Sequence, residues 1–243
     1  MDILQERKQC SMAYFPMFVD LTDKTCLVVG GGEVAYRKVK TLLDFDAKVT
    51  VVAESVCPKL AELAEVPDKK ILSACDYVTG AGEVTSEDKV QSACGRNAEK
   101  ADAPKNRVTI WVRPFQKEDC DGRLLVVAAT DDKELNHNIA EYCKAAGIMV
   151  NAVDQKDDCS FIFSSYVREQ NLVAAFSSGG KSPALTQYLK KKETDILTPF
   201  LGTLNEYMGD IRADIISKYD SEEERKRAFC DIVYSAIENQ KLP

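Results

Sequence analysis

A glycine-rich turn is the segment of this sequence best suited to binding a ligand. The motif Gly30-x-Gly32-x-x-Ala35 follows the apolar run 26–29 and precedes a helical pattern. In such a motif the first glycine permits a tight turn, the second lets the backbone approach a pyrophosphate, and the small third residue lets the helix pack near the strand. The helix N-terminus offers N–H groups to the phosphates. The predicted cofactor-binding residues are Gly30, Gly31, Gly32, Glu33, Val34 and Ala35; the alternative is a tight packing turn without a ligand.

An acidic residue after the second apolar run bears on the choice of dinucleotide. Glu54 follows the run 48–53, one residue later than the usual position of the carboxylate that binds ribose hydroxyls, which falls at Ala53. No arginine stands there to favour a 2′-phosphate, so the sequence favours NAD over NADP. The alternative interpretation of Glu54 is an ordinary solvated loop residue.

The elements that would position these groups alternate between strands and helices. Strand-like runs occupy 26–29, 48–53, 107–112, 124–129 and 148–153, and a further short helix is predicted over 55–66. This alternation predicts an α/β domain with a parallel, Rossmann-type sheet. Strand carboxyl ends line the ligand crevice of such sheets, which places the glycine turn, Thr130, Asp131 and the segment 151–154 at one edge. Thr130 and Asp131 are predicted as further cofactor contacts.

The helix after the fourth strand has a recognisable start and end. Asp131 and Glu134 form a plausible capping pair, and Gly147 closes the helix. Its predicted apolar face consists of Leu135, Ile139, Tyr142, Cys143 and Ala146.

The pattern changes after Asp154. Two strand-like runs, 161–167 and 172–177, predict a hairpin, and Ser182 with Pro183 predicts the start of a helix. One long amphipathic helix is predicted over 197–215, and Ser221-x-x-Glu224 predicts a capping box for the last helix. A hairpin plus helices is too small to bury its apolar faces alone, so dimerisation is expected.

The predicted domains follow from these patterns. A Rossmann domain spans 14–154, a dimerisation and substrate region spans 155–192, and a C-terminal helical region spans 193–243. The charged, glycine- and serine-rich stretch 68–106 is interpreted as a solvent-exposed insertion, with a lid or partner surface as the alternative. The apolar segment 14–20 is expected to lie against the first domain.

Composition excludes several classes of protein. The 243 residues carry a net charge of −7, which argues against a general binder of nucleic acid or anionic membranes. No apolar run could span a bilayer, and no secretory leader is visible. The nine cysteines form no CxxC pair, so we expect reduced thiols in a cytoplasmic protein. His137 lies off the apolar stripe of its helix, and no metal site is predicted.

Four segments of the chain resemble the precorrin-2 dehydrogenases of the siroheme-synthase type. They are YFPM at 14–17, VVGGGEVAYRK at 28–38, AATDD at 128–132, and NAVD at 151–154 taken together with FIF at 161–163 and SSGGKSPAL at 177–185. The resemblance covers about residues 14–66 and 107–192. It does not extend to the insertion, where that family has a short link.

The resemblance implies a homodimer that uses NAD to oxidise precorrin-2 to sirohydrochlorin. In some members of the family the same cleft then inserts ferrous iron to make siroheme. The essential aspartate of the family maps to Asp154, and its serine–glycine segment maps to 177–182. The predicted substrate-binding residues are Asn151, Ser178, Gly179, Gly180, Lys181 and Ser182.

The residues themselves leave several interpretations open. A carboxylate at the end of a strand, Asp154, suits a proton acceptor beside the nicotinamide, but a turn or helix cap is the alternative. A polycarboxylate substrate requires basic residues, for which the candidates are Lys181, Lys190, Lys191, Lys192, Arg37, Lys38 and Arg113. The competing functions are a dinucleotide-sensing regulatory module without turnover and a dehydrogenase of another small substrate.

Overall fold

The computed structural model describes residues 14–64 and 107–243. The predicted insertion 68–106 therefore lies outside the described residues. The chain divides between Phe161 and Ile162 into two compact units, each described by itself below. The predicted three-part division stays a prediction.

The first unit is built on a five-stranded parallel sheet. Its strands lie in the order β3-β2-β1-β4-β5. Their bounds are β1 Thr25–Val29, β2 Lys48–Ala53, β3 Val108–Val112, β4 Leu125–Ala128 and β5 Met149–Ala152. Val29 pairs with both Val52 and Ala128, so the ends of three strands are level. The strand order reverses beside β1, which is where doubly wound sheets open a ligand crevice.

The helices of this unit connect the strands. They are α1 Glu33–Leu43, α2 Pro58–Leu63 and α3 Lys133–Ala145, with 3-10 turns at Lys117–Cys120 and Lys156–Asp158. The predicted helix 55–66 is shorter than expected, because the backbone is still extended at Cys57, whose N–H donates to the Gly31 carbonyl at 2.8 Å. Helix formation starts only at Pro58.

Helix α3 begins and packs differently from the prediction. Asp132, rather than Asp131, caps it: its Oδ1 accepts the N–H groups of Glu134 at 2.9 Å and Leu135 at 3.0 Å. Asp131 stays exposed one residue earlier. The buried face consists of Asn136, Ile139, Ala140 and Cys143, whereas Leu135 and Tyr142 are half-buried and Ala146 is exposed. The face differs because the Asn136 side chain turns inward to bond Thr130.

The core of the first unit is made by continuous apolar strands. Leu27, Val28, Val51, Val126 and Val127 are fully buried. Burial on both faces is the reason why these strands read as unbroken apolar runs. The segment 14–20 was expected to lie against this unit, but Phe15 is 83% exposed and Met17 and Phe18 are exposed as well. That expectation is wrong for these three side chains.

The second unit starts with an antiparallel hairpin. Strand β6 is Ser165–Glu169, strand β7 is Leu172–Phe176, and Gln170 turns with a positive φ of 53°. Strand β6 begins later than predicted because residues just before it pair elsewhere: the Ser160 N–H donates to the Val150 carbonyl at 2.8 Å, and the Phe161 carbonyl accepts the Asn151 amide at 3.0 Å.

Helices complete the second unit. They are α4 Pro183–Ile196, α5 Pro199–Asp210, α6 Arg212–Lys218 and α7 Glu222–Asn239. Ser182 caps α4 and Ser221 caps α7 in a complete capping box, as predicted. The predicted single helix 197–215 is wrong, since the chain is broken at Ile211 into α5 and α6. Among the described residues, no helix combines the length and apolarity required to cross a membrane.

Candidate cofactor and active site

The three glycines after β1 have different surroundings. Gly30 has a φ of +122°, and a Cβ there would lie 2.2 Å from the Ala129 carbonyl oxygen. A Cβ on Gly31 would lie 1.8 Å from the Ser55 carbonyl oxygen. A Cβ on Gly32 would have no heavy atom of the described residues within 4 Å. The neighbouring backbone therefore leaves no room for a side chain at Gly30 or Gly31, whereas Gly32 borders open space at the start of α1.

The start of α1 is not capped by a side chain of the described part of the chain. Gly32 is its N-cap and Glu33 its first residue. The leading N–H groups of a helix lack partners within the helix, so those of Glu33, Val34 and Ala35 suit an anion. The Glu33 carboxylate lies 2.9 Å from the Lys59 ammonium on α2, and both are exposed. That lysine offsets the one acidic side chain in the first turn.

The loop after β2 runs along the glycine turn. Glu54 follows the strand directly and is exposed. On either side of it, Ala53 and Ser55 approach Gly31, and Cys57 donates to the Gly31 carbonyl. An exposed carboxylate beside an open helix N-terminus fits the ribose side of a dinucleotide.

The loop after β4 reaches the same edge of the sheet. The Ala129 N–H donates to the Val29 carbonyl at 2.7 Å, which brings Thr130 beside the glycine turn. Asn136, which sequence reasoning missed, bonds Thr130 through both ends of its side-chain amide. The signal that could have identified it is a polar residue three and four positions before the buried Ile139 and Ala140.

Asp154 follows β5 at this edge. The Val153 N–H donates to the Ala128 carbonyl at 2.9 Å, and Asp154 then turns with a φ of 60°. Asp adopts the left-handed region more readily than most non-glycine residues, and Asp23 and Asp46 also do so in this unit. The Asp154 side chain is exposed. The strand itself ends at Ala152, one residue before the predicted end of the run 148–153.

Lys38 on α1 lies within electrostatic reach of Asp154. Burial, and after it the charge of Arg37, lower the pKa of the Lys38 ammonium, while Cys159 and Asp154 act in the opposite direction. A half-buried cation thus accompanies the exposed carboxylate.

Asn151 lies inside the first unit. Its side chain is buried, and its Nδ2 donates to the Phe161 carbonyl at 3.0 Å and contacts the Cys159 sulfur at 3.5 Å. The amide therefore braces the chain that follows β5.

The predicted substrate segment of the second unit is a tight loop. Gly179 and Gly180 have positive φ values of 62° and 78°. The Gly179 N–H donates to the Ser177 hydroxyl at 3.1 Å, and the Ser182 N–H donates to the Ser178 hydroxyl at 2.9 Å. Lys181 is exposed in the middle of this loop.

The remaining basic candidates differ in availability. Arg113 is buried and bonds Asp119, with one nitrogen 2.8 Å from Oδ2, so it is not a surface cation for a substrate. Lys190 lies 5.4 Å from the centroid of the Tyr166 ring, and Lys192 lies 5.9 Å from that of Tyr188.

His137 belongs to a cluster with two carboxylates, the exposed Glu141 and the half-buried Asp158. Its Nδ1 lies 2.9 Å from Asp158, and Glu141 completes a group whose ligand atoms lie within 4.8 Å of one another. The Lys144 ammonium lies 3.4 Å from Glu141 and 3.6 Å from Asp158. Because the Lys144 ammonium pairs with both carboxylates, we interpret the cluster as an ion-pair network.

The fold and the glycine turn define a dinucleotide-binding protein of the Rossmann class. The family model NAD_binding_7, described as "Putative NAD(P)-binding", matches residues 17–165. The chain belongs to this family. The match supports the predicted NAD cofactor, and the open space at Gly32 fits its diphosphate.

The chain is also similar to curated siroheme synthases. It is 32% identical over 231 residues to that of Vesicomyosocius okutanii, covering 95% of this chain and 41% of the relative. It is 35% identical over 216 residues to that of Nitrosospira multiformis, covering 89% of this chain and 38% of the relative. The chain thus spans about two fifths of the length of these relatives.

A solved structure shares the fold. "SirC, precorrin-2 dehydrogenase" matches with a TM-score of 0.59 at 20% identity, covering 90% of this chain and 89% of that one. This likeness confirms the predicted fold class: a Rossmann-type sheet followed by a hairpin and helices.

Proposed function

We propose that this chain is an NAD-dependent dehydrogenase that oxidises precorrin-2 to sirohydrochlorin in siroheme biosynthesis. The proposal rests on one observation: the glycine turn, with the open start of α1, lies at the same edge of the sheet as the exposed carboxylate of Asp154. The siroheme synthases to which the chain is similar, and the fold it shares with a precorrin-2 dehydrogenase, support this choice of substrate.

The cofactor is held by the first unit. The N–H groups of Glu33, Val34 and Ala35 bind the diphosphate over Gly32. The Glu54 carboxylate accepts hydrogen bonds from the ribose hydroxyls and repels a 2′-phosphate, which selects NAD over NADP. Bound NAD supplies the hydride acceptor.

Asp154 takes part in the oxidation itself. Precorrin-2 loses one hydride and one proton when it becomes sirohydrochlorin, and the hydride leaves on NADH. The Asp154 carboxylate accepts the proton and passes it to solvent, to which the side chain is exposed. Lys38 supplies a positive charge within electrostatic reach of this carboxylate.

The acidic side chains of the tetrapyrrole require donors. We assign this task to the loop of the second unit: the Lys181 ammonium and the polar groups of Ser178, Gly179, Gly180 and Ser182. Asn151, whose amide is engaged by Phe161, acts by holding the chain after Asp154.

Iron insertion is the second proposed step. Ferrous iron is a substrate here, and its insertion requires the pyrrole N–H protons to leave. The Asp154 carboxylate can accept them as it accepts the proton of the oxidation.

A homodimer is proposed as well, because α4 exposes the apolar side chains Leu185, Tyr188, Leu189 and Ile196.

An anaerobic assay with precorrin-2 and NAD tests the function. We expect NADH together with the spectrum of sirohydrochlorin, and a faster shift to siroheme after addition of ferrous iron than in a control without protein. NAD binding without NADH would favour the dinucleotide-sensing module or another substrate. NADH without acceleration of siroheme formation would leave a dehydrogenase and remove the chelatase step.

A further inference from the structure

Within 14–64 and 107–243, the buried side-chain amide of Asn136 on α3 bonds one residue, Thr130, at the edge where the cofactor is proposed to bind. Asn136 is 2% exposed, although it occupies the first position of a buried face that is otherwise apolar. Its Nδ2 donates to the Thr130 carbonyl at 2.9 Å. Its Oδ1 accepts the Thr130 N–H at 3.2 Å and the Thr130 hydroxyl at 2.7 Å. The amide thus satisfies the backbone donor, the backbone acceptor and the side chain of Thr130.

This bonding explains why the chain leaves β4 at this point. A backbone N–H and carbonyl that would otherwise extend a strand are both bonded to a side chain of α3. Buried backbone groups require a partner, and the planar amide of asparagine offers one donor and one acceptor side by side. Asn136 therefore determines where β4 ends and how the loop toward α3 is oriented.

The loop that Asn136 holds is in direct contact with the glycine turn. A Cβ built on Gly30 would lie 2.2 Å from the Ala129 carbonyl oxygen and 3.2 Å from the Thr130 nitrogen. The peptide between Ala129 and Thr130 is thus one wall of the turn that leads into α1. A displacement of Thr130 would move this wall and, with it, the backbone that faces the diphosphate.

We propose that Asn136 is a positioning residue for the cofactor: by holding Thr130 it gives the glycine turn the shape that binds NAD. This rests on the proposed function only in taking NAD as the ligand of that turn. Because Asn136 is 2% exposed, its effect on the cofactor passes through Thr130 to Gly30.

Isothermal titration of NAD into the full chain tests this proposal, with the unfolding midpoint measured on the same samples. Asn136→Leu keeps the branched shape and the number of side-chain heavy atoms but removes every hydrogen bond that the Asn136 side chain makes with Thr130. Asn136→Asp keeps an acceptor for the Thr130 N–H but replaces the donor to its carbonyl. We expect the dissociation constant for NAD to rise about tenfold or more in Asn136→Leu, and less in Asn136→Asp.

The matched control is Cys143→Ala, which removes a buried side chain from the same face of α3 without touching Thr130. It is expected to lower the unfolding midpoint and to bind NAD as the wild type does. Equal NAD affinity in Asn136→Leu and wild type would overturn the proposal while leaving the dehydrogenase intact. If Asn136→Leu does not fold, the same comparison is made with Asn136→Asp. A wild-type protein that binds no NAD would instead remove the cofactor assignment, and the proposal with it.

Discussion

Gly30, Gly31 and Gly32 follow one another, but the space around each of them differs. Two of them lie against carbonyl oxygens of other segments, and the third faces open space at the start of α1. A side chain at the first two positions would collide with backbone, which cannot move away cheaply. A methyl group at Gly32 would meet no heavy atom of the described residues within 4 Å, so it is expected to collide with a bound diphosphate. Stability and cofactor binding can therefore be separated within three residues.

The substitution Gly32→Ala tests this separation. The φ of Gly32 is −84°, which alanine adopts readily, so we expect an unfolding midpoint close to that of the wild type. The added methyl group would stand where the diphosphate approaches, and NAD affinity should fall by about tenfold or more. Calorimetric titration and thermal unfolding measure the two effects. Gly31→Ala is the contrasting variant, which should lose stability first. Unchanged NAD affinity in Gly32→Ala would contradict the placement of the cofactor.

Asp154 is the residue on which the proposed chemistry depends. Asp154→Ala should retain NAD binding and lose turnover of precorrin-2, because the proton acceptor is removed while the glycine turn that binds NAD is left intact. NADH formation and NAD titration measure the two properties separately. Asp157→Ala is the control, since Asp157 is also an exposed carboxylate of the same loop. Full activity of the Asp154 variant would exclude this carboxylate from the mechanism.

The helix N-termini of this protein fall into two groups. Asp132, Ser182 and Ser221 accept hydrogen bonds from the first turns of α3, α4 and α7. No side chain in the described residues does so for α1, α2, α5 or α6. A side-chain cap satisfies N–H groups that would otherwise be left without partners. Helices α2 and α5 begin with proline, which has no N–H, and α6 follows α5 after a single residue, so α1 is the end whose open N–H groups suit a ligand.

The capping box of α7 provides a test at the scale of one element. The Ser221 hydroxyl accepts the Glu224 N–H at 3.2 Å, and the Glu224 carboxylate accepts the Ser221 N–H at 3.4 Å. Ser221→Ala should lower the free energy of unfolding by about 1 kcal/mol. Ser235→Ala, an exposed substitution inside α7, is the control and should have little effect. Equal stability of the two variants in urea unfolding would argue against the cap.

The apolar stripe of α4 bears on the assembly of the whole molecule. Leu185, Tyr188, Leu189 and Ile196 are between 38% and 59% exposed. Clusters of large exposed apolar side chains mark interaction surfaces. A second copy of the chain is the proposed partner, since isologous dimers are the commonest assembly of soluble chains.

Sedimentation velocity measures this assembly directly. We expect the wild type to sediment as a dimer and Tyr188→Glu to shift toward the monomer, because a charge would be buried in the contact. Ile216→Glu places the same charge on an exposed apolar position of α6 and should leave the dimer intact. A monomeric wild type would rule out the proposed dimer.

Local patterns predicted much of this fold. All five strands of the sheet, the glycine turn, the hairpin and the caps at Ser182 and Ser221 lie where the sequence places them, within a few residues. The long helix over 197–215 was wrong because its apolar residues keep one spacing on both sides of the break at Ile211. The apolar face of α3 was misassigned because an asparagine was not expected in it.

The sequence by itself determined the order of elements and the place of the glycine turn, because glycine turns, caps and apolar periods act over a few residues. Only the tertiary structure decided which side chains serve the site. Gly31 is constrained by Ser55, and Thr130 is held by Asn136 against Gly30. The Arg113 guanidinium donates hydrogen bonds to Asp119 within the first unit and is therefore not available to a substrate. These roles depend on contacts set by the folded backbone, which no local pattern of residue types specifies.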